Sequence, residues 1–468
     1  MIKPDPNKAL RRIPSLDAFV SREKLSAIPR SVASRESRVY LDEMRAKVLA
    51  NGMSDEDVDA VFSSPSAADT VLDRCISSMA LHHVRVINAT GIVLHTGIGR
   101  APLASAARDA LAHAAGYAIV EVDPKTGYRN QREERISAVL RQILGVDEAI
   151  AVNNNAAATT LALAALASGK EVITSRGELV EIGGGFRVPE VMRQAGCKMV
   201  EVGATNRTHL RDFRSAITTE TAMLLKVHTS NFRIVGFQGT PELSELVQLA
   251  RETGIYAVED LGSGLLFDES VPGLVDEPRV RDSVAAGADL VCFSGDKLLG
   301  GPQCGIILGS AEVVAKVRAH PLYRAFRCDK LTLAALEATL TIYRDGNPLE
   351  EIPVLRALSR STEHLQSRAE ELLSNMRAIS TPSSADAAIV RTESFAGSGA
   401  NPAHPIESRA VALRGGDRVC DALRTGPGTP IFARIEAGDV LLDLRSMDGE
   451  DLSVVAECMR DKLLVAGF

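Results

Sequence analysis

The sequence predicts an α/β protein: a doubly wound, mostly parallel sheet, with a small helical domain before it and a small α+β domain after it. Three observations carry this prediction. From about residue 85 to 310, short apolar runs of strand length alternate with helix-length segments, several ending in glycine, as in "PELSELVQLARETG" (241–254). The strand-length runs are continuously apolar, as strands covered on both faces are. At 468 residues the chain is also too long for one compact core, so two or three domains are expected.

Residues 1–84 read as short helices, "SRESRVYLDEMRAKVLANG" (34–52) being the clearest. "VRVINATGIVLHTGIGRAPL" (84–103) then changes the texture to β-branched runs broken by Gly and Asn, and residues 85–345 are assigned to the larger domain. Within it, "AIAVN", "EVITS", "KMVEVG", "AMLLKVH", "IYAVED", "LVCFSG" and "CGIILG" read as strands. The helices between them include "AAATTLALAALASG" and "VPEVMRQAG". A long helical stretch, "KLTLAALEATLTIYRDG" (330–346), leads to residues 346–468, which end in strands such as "PIFARIEAGDVLLDLR" and a last helix. There is no internal repeat and no low-complexity segment.

Composition narrows the function classes. The chain is 45% hydrophobic and 24% charged, with no apolar run near the roughly 20 residues of a membrane span. The N-terminus lacks the apolar core of a signal peptide, so a cytoplasmic protein is expected. Seven cysteines stand singly with no CxxC pair, which argues against a disulfide frame or a zinc site. The net charge of −7 argues against general nucleic-acid binding. Residues 1–50, however, hold 11 basic and 6 acidic residues, a local excess of five that leaves −12 on the rest. That excess suits either an RNA contact or a solvated helical face.

In an open parallel sheet, ligands sit at the carboxyl ends of the strands. "VNNNAAATT" places Asn153, Asn154 and Asn155 between a strand and a small-residue helix, either as a phosphate site on free N–H groups or as a plain N-cap. "IYAVEDLGSG" ends a strand with Glu259 and Asp260, where a carboxylate can hold a cationic ring nitrogen or a metal. No further ligands lie at metal-binding spacing, so no metal is expected. "LVCFSGDKLLGG" then delivers Ser294, Asp296 and Lys297. A partly desolvated lysine amine can form a Schiff base with an aldehyde cofactor. A strand-end Asp, a strand-end Lys and an Asn-rich helix start together fit pyridoxal phosphate. The glycines after Lys297 do not make a P-loop, because the lysine precedes them and no Ser or Thr follows it.

Other polar groups also fall at strand ends. "KVHTSNF" places His228, Thr229, Ser230 and Asn231 there, and "SRGELVEIGG" offers Arg176, Glu178 and Glu181. "HPLYRAFRCDK" sets Arg324 and Arg327 one helical turn apart, and Arg100 lies in a Gly-rich turn. Three arginines would suit a dianion, although each taken singly would equally suit a surface ion pair.

The stretches "NATGIVLHTGIGRAPL", "VNNNAAATTLALAALASGKEV", "SRGELVEIGGGFRVPEVMRQAGC", "EVGATNRTH", "KVHTSNF", "EDLGSG" and "SGDKLLGGPQCGIILG" resemble the bacterial selenocysteine synthases, the L-seryl-tRNA(Sec) selenium transferases. The resemblance covers residues 80–345 closely. It continues more weakly in "RRIPSLDAFV", "FAGSGANP" and "VLLDLR". It implies the type I fold of pyridoxal-phosphate-dependent transferases. It further implies conversion of seryl-tRNA(Sec) with selenophosphate, by loss of water and selenium addition to an aminoacrylyl-tRNA. Carried over to this chain, Lys297 is expected as the Schiff-base lysine and proton carrier, with Asp296 beside it, and Asp260 on the pyridine nitrogen. Asn154, Asn155, Ala156 and Ser294 are expected to hold the phosphate, and His228 is expected among the cofactor-binding residues. Arg100, Arg324 and Arg327 are expected to receive selenophosphate. The glycines after Lys297 would let the backbone approach a phosphate, that of a neighbouring subunit's cofactor. The N-terminal domain is expected to bind the tRNA, and the chain to form a homodecamer, a pentamer of dimers. A competing expectation is a pyridoxal-phosphate lyase or transferase acting on a free amino acid or amino sugar.

Overall fold

The computed structural model describes residues 6–51, 53–232, 234, 236–266, 271, 273–274, 277–378, 387–397, 399–400 and 404–465. It separates into two compact units, Met1–Arg85 and Val86–Phe468.

The first unit is helical among its described residues. Its longest helix, Arg30–Asn51, starts four residues ahead of the predicted stretch. Helices Leu16–Val20, Asp55–Ser63 and Ser66–Met79 pack with it around a core that includes Phe19, Leu41, Val58 and Val71. At its centre Phe19, Tyr40 and Phe62 meet with ring centroids 5.8 to 6.2 Å apart, distances at which aromatic pairs add to area burial. Ser54 and Asp57 close a capping box on the Asp55–Ser63 helix. Part of the basic excess of residues 1–50 is paired with carboxylates that follow it, as in Arg12–Asp59 at 3.5 Å and Lys8–Asp55 at 3.6 Å.

The second unit is built on a seven-stranded sheet. In chain order its strands are β1 (Glu148–Val152), β2 (Glu171–Ser175), β3 (Lys198–Val202), β4 (Thr221–Val227), β5 (Tyr256–Gly262), β6 (Leu290–Ser294) and β7 (Gly305–Gly309). Their spatial order is β1-β7-β6-β5-β4-β2-β3. All neighbours are parallel except β7, which runs antiparallel to both β1 and β6. The central strands are buried throughout β6 and nearly so in β5, matching their unbroken apolar runs. The helix Leu243–Thr253 ends at Gly254, whose φ of +73° is the left-handed turn that glycine supplies without a Cβ clash. The helix Asn155–Ala167 has mostly Ala and Leu on every side, and it is correspondingly buried over most of its surface.

A second sheet has six strands, in the order Ile87–Ala89, Ile431–Glu436, Asp439–Asp443, Pro405–Leu413, Ala388–Gly397 and Ile92–Leu94. Residues 87–94, grouped by sequence with the larger domain, thus supply both edges of this sheet. They pair in parallel with strands more than 300 residues away. Local pattern cannot show such a pairing. Helices Thr362–Ala378, Gly416–Thr425 and Asp451–Val465 share a hydrophobic core with this sheet.

Candidate active site

β5 and β6 are adjacent and parallel, so their carboxyl ends open on the same side. Asp260 stands near the end of β5, and Lys297 lies in the turn three residues beyond β6. That turn is pinned: Leu298 N–H donates to Ser263 O at 3.1 Å, and Gly295 N–H to Cys304 O at 2.8 Å. Gly295 is required there, since a Cβ would lie 2.6 Å from the Pro302 carbonyl oxygen. Lys297 is consequently only 6% exposed. Burial pulls its pKa below the usual lysine value, against the opposing pull of Asp260, and Arg100 pulls it down further. Its amine has no hydrogen-bond or ion-pair partner among the described residues. It faces two glycines: a Cβ on Gly262 would lie 3.9 Å from Nζ and one on Gly399 only 2.5 Å from it. Gly399 belongs to "FAGSGANP", of which Ser398, Asn401 and Pro402 lie outside the described residues.

Asp260 is 5% exposed, and both its oxygens are held. Asn155 Nδ2 donates to Oδ1 at 2.7 Å and Thr159 Oγ1 to Oδ2 at 2.9 Å. Burial pushes this carboxyl above its ordinary range, while the two hydrogen bonds and Lys297 pull the other way. A cationic ring nitrogen beside it would favour the ionised form. Thr159, one turn into the Asn155–Ala167 helix, carries no signal in the sequence because it sits in an Ala-rich run.

The same helix presents its N-terminus to the site. Asn154 is its N-cap, with Oδ1 accepting from Ala157 N–H at 2.9 Å. The N–H groups of Asn155 and Ala156 have no acceptor among the described residues, which suits a phosphate. The N-cap reading of this segment is thus observed, and the free N–H groups leave room for the phosphate reading beside it. Gly305 packs against it so closely that a Cβ would meet the Asn154 carbonyl. Ser294, 5% exposed, closes β6 next to the turn that carries Lys297. His228 follows β4, and its backbone N–H donates to Asp260 O at 2.9 Å. Its Nε2 lies 3.4 Å from Oε1 of Glu277, a buried residue that sequence reading had not singled out.

The three predicted arginines have different surroundings within the chain. Arg100 Nη1 donates to Asp296 Oδ2 at 2.7 Å, beside the lysine. Arg327 lies next to the end of β1, where Phe326 O accepts from Asn153 N–H at 2.8 Å. Arg327 Nη1 sits 3.4 Å from Glu121 Oε1, a carboxylate that also binds Arg129 and Arg132. Those contacts hold Glu121 below the usual carboxylate range, hydrogen bonding by Arg132 being the main cause. Arg129, exposed in the loop before the Glu134–Leu144 helix, is thereby tied to the same carboxylate. Arg324 is exposed. Gly300 and Gly301, after the lysine, pack in this chain against Ile352, Val354 and Thr339.

The five buried cysteines are poorly placed to act as thiolate nucleophiles. Burial pushes the Cys197 thiol up to about 11 and Cys328 up to about 12, and Cys292 and Cys304 also well above the ordinary value. No three His, Cys, Asp or Glu side chains are grouped to hold a metal among the described residues, and none of their helices is long and apolar enough to cross a membrane.

An unpartnered, desolvated lysine beside a glycine-lined space, a buried carboxylate on the next strand and an open helix N-terminus fit an aldehyde cofactor with a ring nitrogen and a phosphate. With this sheet order, they define a pyridoxal-phosphate-dependent enzyme of fold type I. The fold is that of D-glucosaminate-6-phosphate ammonia-lyase, whose structure matches 84% of this chain and 99% of its own with a TM-score of 0.59 at 22% identity. The profile of the L-seryl-tRNA selenium transferase family matches residues 86–448. Proteins named L-seryl-tRNA(Sec) selenium transferase are similar over nearly full length. That of Geotalea daltonii is 42% identical over 96% of this chain and 98% of its own, and that of Solidesulfovibrio magneticus 44% identical over 95% and 96%. That of Moorella thermoacetica is 43% identical over 95% of both. The chain belongs to the L-seryl-tRNA selenium transferase family.

Proposed function

We propose that this protein converts seryl-tRNA(Sec) to selenocysteinyl-tRNA(Sec), with selenophosphate as selenium donor and pyridoxal phosphate as cofactor. The observation that carries the reading is Lys297, buried, depressed in pKa and facing a space cleared by two glycines, in a chain related over nearly its whole length to named transferases. Lys297 would anchor the cofactor. Asp260 would hold the ring nitrogen, and Asn154, Asn155, Ala156 and Ser294 the phosphate, with His228 alongside. When bound, the cofactor supplies an electron sink for charge developing on the substrate α-carbon.

The remaining chemistry falls to the chain. A lysine amine whose pKa burial lowers can take the α-proton of the bound serine, since the shift moves it toward the operating pH. Loss of the β-hydroxyl as water then leaves a carbon that would accept the selenium of selenophosphate, the Se–P bond being cleaved by water with release of phosphate and a proton returned to the α-carbon. Arg100, held by Asp296, keeps further N–H donors for an anionic donor, and Arg324 and Arg327 would add theirs. Arg100 and Arg327 pair with different carboxylates in the chain, and a neighbouring subunit that completes the anion site would agree with the proposed decamer. The helical segment 1–84 would hold the tRNA, with 85–345 and 346–468 as the catalytic and C-terminal domains. The setting is the cytoplasm.

The test is conversion. Purified holo-protein is incubated with seryl-tRNA(Sec) and selenophosphate, the ester is hydrolysed, and the released amino acid is identified by mass spectrometry. Selenocysteine from seryl-tRNA(Sec), and not from free serine or seryl-tRNA(Ser), is the expected result. Consumption of free serine or an amino sugar with the tRNA untouched would overturn the reading.

A further inference from the structure

A second cavity adjoins the lysine site. It has a volume of about 540 Å³ and lies at the carboxyl ends of β2, β4 and β5, with Glu178, Arg207, His228, Gln238, Glu259 and Glu277 among its walls. It shares His228 and Glu277 with the lysine site. His228 is tied to the Asp260 carbonyl, and the Glu277 charge reaches the Lys297 amine.

The inner wall is incompletely satisfied. Glu178 is well held, accepting from Val227 N–H and Thr240 Oγ1 at 3.1 Å each, with Lys226 Nζ 3.7 Å away. Three other atoms are buried with no hydrogen-bond partner among the described residues: Oε2 of Glu259, Oε1 of Glu277 and Nε2 of His228. Glu259 is 4% exposed and Glu277 7%. The His228–Glu277 approach is within ion-pair range but off hydrogen-bond geometry. Each unmet buried polar atom costs about 1–3 kcal/mol, so three on one cavity indicate a ligand that completes them. Carboxylate oxygens only accept while ionised, so that ligand brings N–H or O–H donors. No metal-binding group of side chains occurs among the described residues, and two carboxylates would repel a phosphate. The mouth differs in character. Thr205, Asn206 and Arg207 are exposed there, and the Arg207 guanidinium stands 5.9 Å from the centre of the exposed Phe237 ring.

We propose that this cavity seats the 3′-terminal nucleoside of the RNA substrate. The ribose hydroxyl and the exocyclic amine of the base donate to Glu277 and Glu259, and Arg207 at the mouth meets the phosphate that leads to the next nucleotide. The inference rests on the proposed reaction. Serine travels as an ester of that ribose, so a site holding serine at Lys297 must seat the ribose a few bonds away. A ribose hydroxyl on a carboxylate would also discriminate RNA from DNA.

The test uses the holo-protein and three probes: serine amide, adenosine carrying serine through a hydrolysis-resistant 3′-amide, and its 2′-deoxy counterpart. Binding is read by calorimetry and by the change in cofactor absorption. The ribonucleoside compound is expected to bind at least about tenfold tighter than serine amide, with the deoxy compound between them. Glu259→Gln should erase most of that difference. Should that variant fail to fold, Arg207→Ala, at an exposed position, should raise the KM for seryl-tRNA severalfold with kcat unchanged. Equal binding of nucleoside compound and serine amide, in a protein that converts seryl-tRNA(Sec), would overturn the cavity assignment alone. No conversion of seryl-tRNA(Sec) and no binding of any probe would overturn the reaction reading and this proposal with it.

Discussion

Arg100 and Asp296 are joined by a 2.7 Å ion pair across 196 residues of sequence, next to the lysine at the centre of the site. Arg100 also has φ of +60°, which is uncommon for a residue with a side chain. A strained backbone that aims a guanidinium into a site marks a position kept for its side chain. Arg100→Gly should relieve about 1 kcal/mol of backbone strain, yet remove an anion-binding group. The expected outcome is thermal stability changed little, relief of strain being offset by the lost pair with Asp296, together with a KM for selenophosphate raised about tenfold or more. Lower stability with an unaltered KM would show that Arg100 serves the fold.

The depressed Lys297 pKa has a sign that can be tested. Only the uncharged amine attacks an aldehyde, so capture of pyridoxal phosphate by apo-protein should accelerate with pH and level off once the amine is deprotonated. Because burial lowers the folded-state pKa below 10.5, the plateau should begin below that value. Rapid-mixing absorbance across pH reads it directly. A rate still climbing through 10.5 would contradict the burial argument.

Asp260→Asn keeps the shape of the group between Asn155 and Thr159 and removes its charge. It should still bind cofactor but lose turnover on the order of 10²–10³-fold, the usual effect of removing a preorganised electrostatic partner. Steady-state kinetics beside a cofactor-binding titration separate the two effects. Near-normal kcat would remove Asp260 from its assigned role.

A further prediction concerns stability alone. Asp443, fully buried in "VLLDLR", accepts from Ser394 Oγ at 2.9 Å, Ser408 Oγ at 2.8 Å, Arg434 Nη1 at 2.9 Å and the Arg445 N–H at 3.0 Å. Gly91, in "NATG", lies over this cluster with φ of +80°, and a Cβ there would stand 2.5 Å from Asp443 Oδ2. Asp443→Ala strands these donors and should cost about 3–5 kcal/mol, measured by denaturant unfolding. A loss below about 1 kcal/mol would mean the cluster is solvated.

Much of this was legible in the sequence for definite reasons. The strands of the main sheet are continuous apolar runs, and Asp260 and Lys297 stand out because a charge at the end of such a run is conspicuous. What was illegible depends on distance along the chain. Nothing near Ile87 or Ile92 announces partners at Ile431 and Phe395. Glu277 and Gly399 reach the site from segments without regular pattern, and Thr159 is hidden in a helix of small residues. Arg129 could be explained only once Glu121 was seen to gather three arginines. The stretches "NATG" and "VLLDLR", both part of the family resemblance, meet each other in a structural cluster.

The central claim is that the chemistry of this protein is organised on Lys297, and one measurement tests it most directly. Holo-protein is treated with borohydride to fix the lysine–aldehyde linkage, digested, and sequenced by mass spectrometry. The account predicts a single cofactor-bearing peptide modified at Lys297, absent from Lys297→Ala. Modification at another lysine, or a Lys297→Ala protein that still binds and turns over, would contradict it.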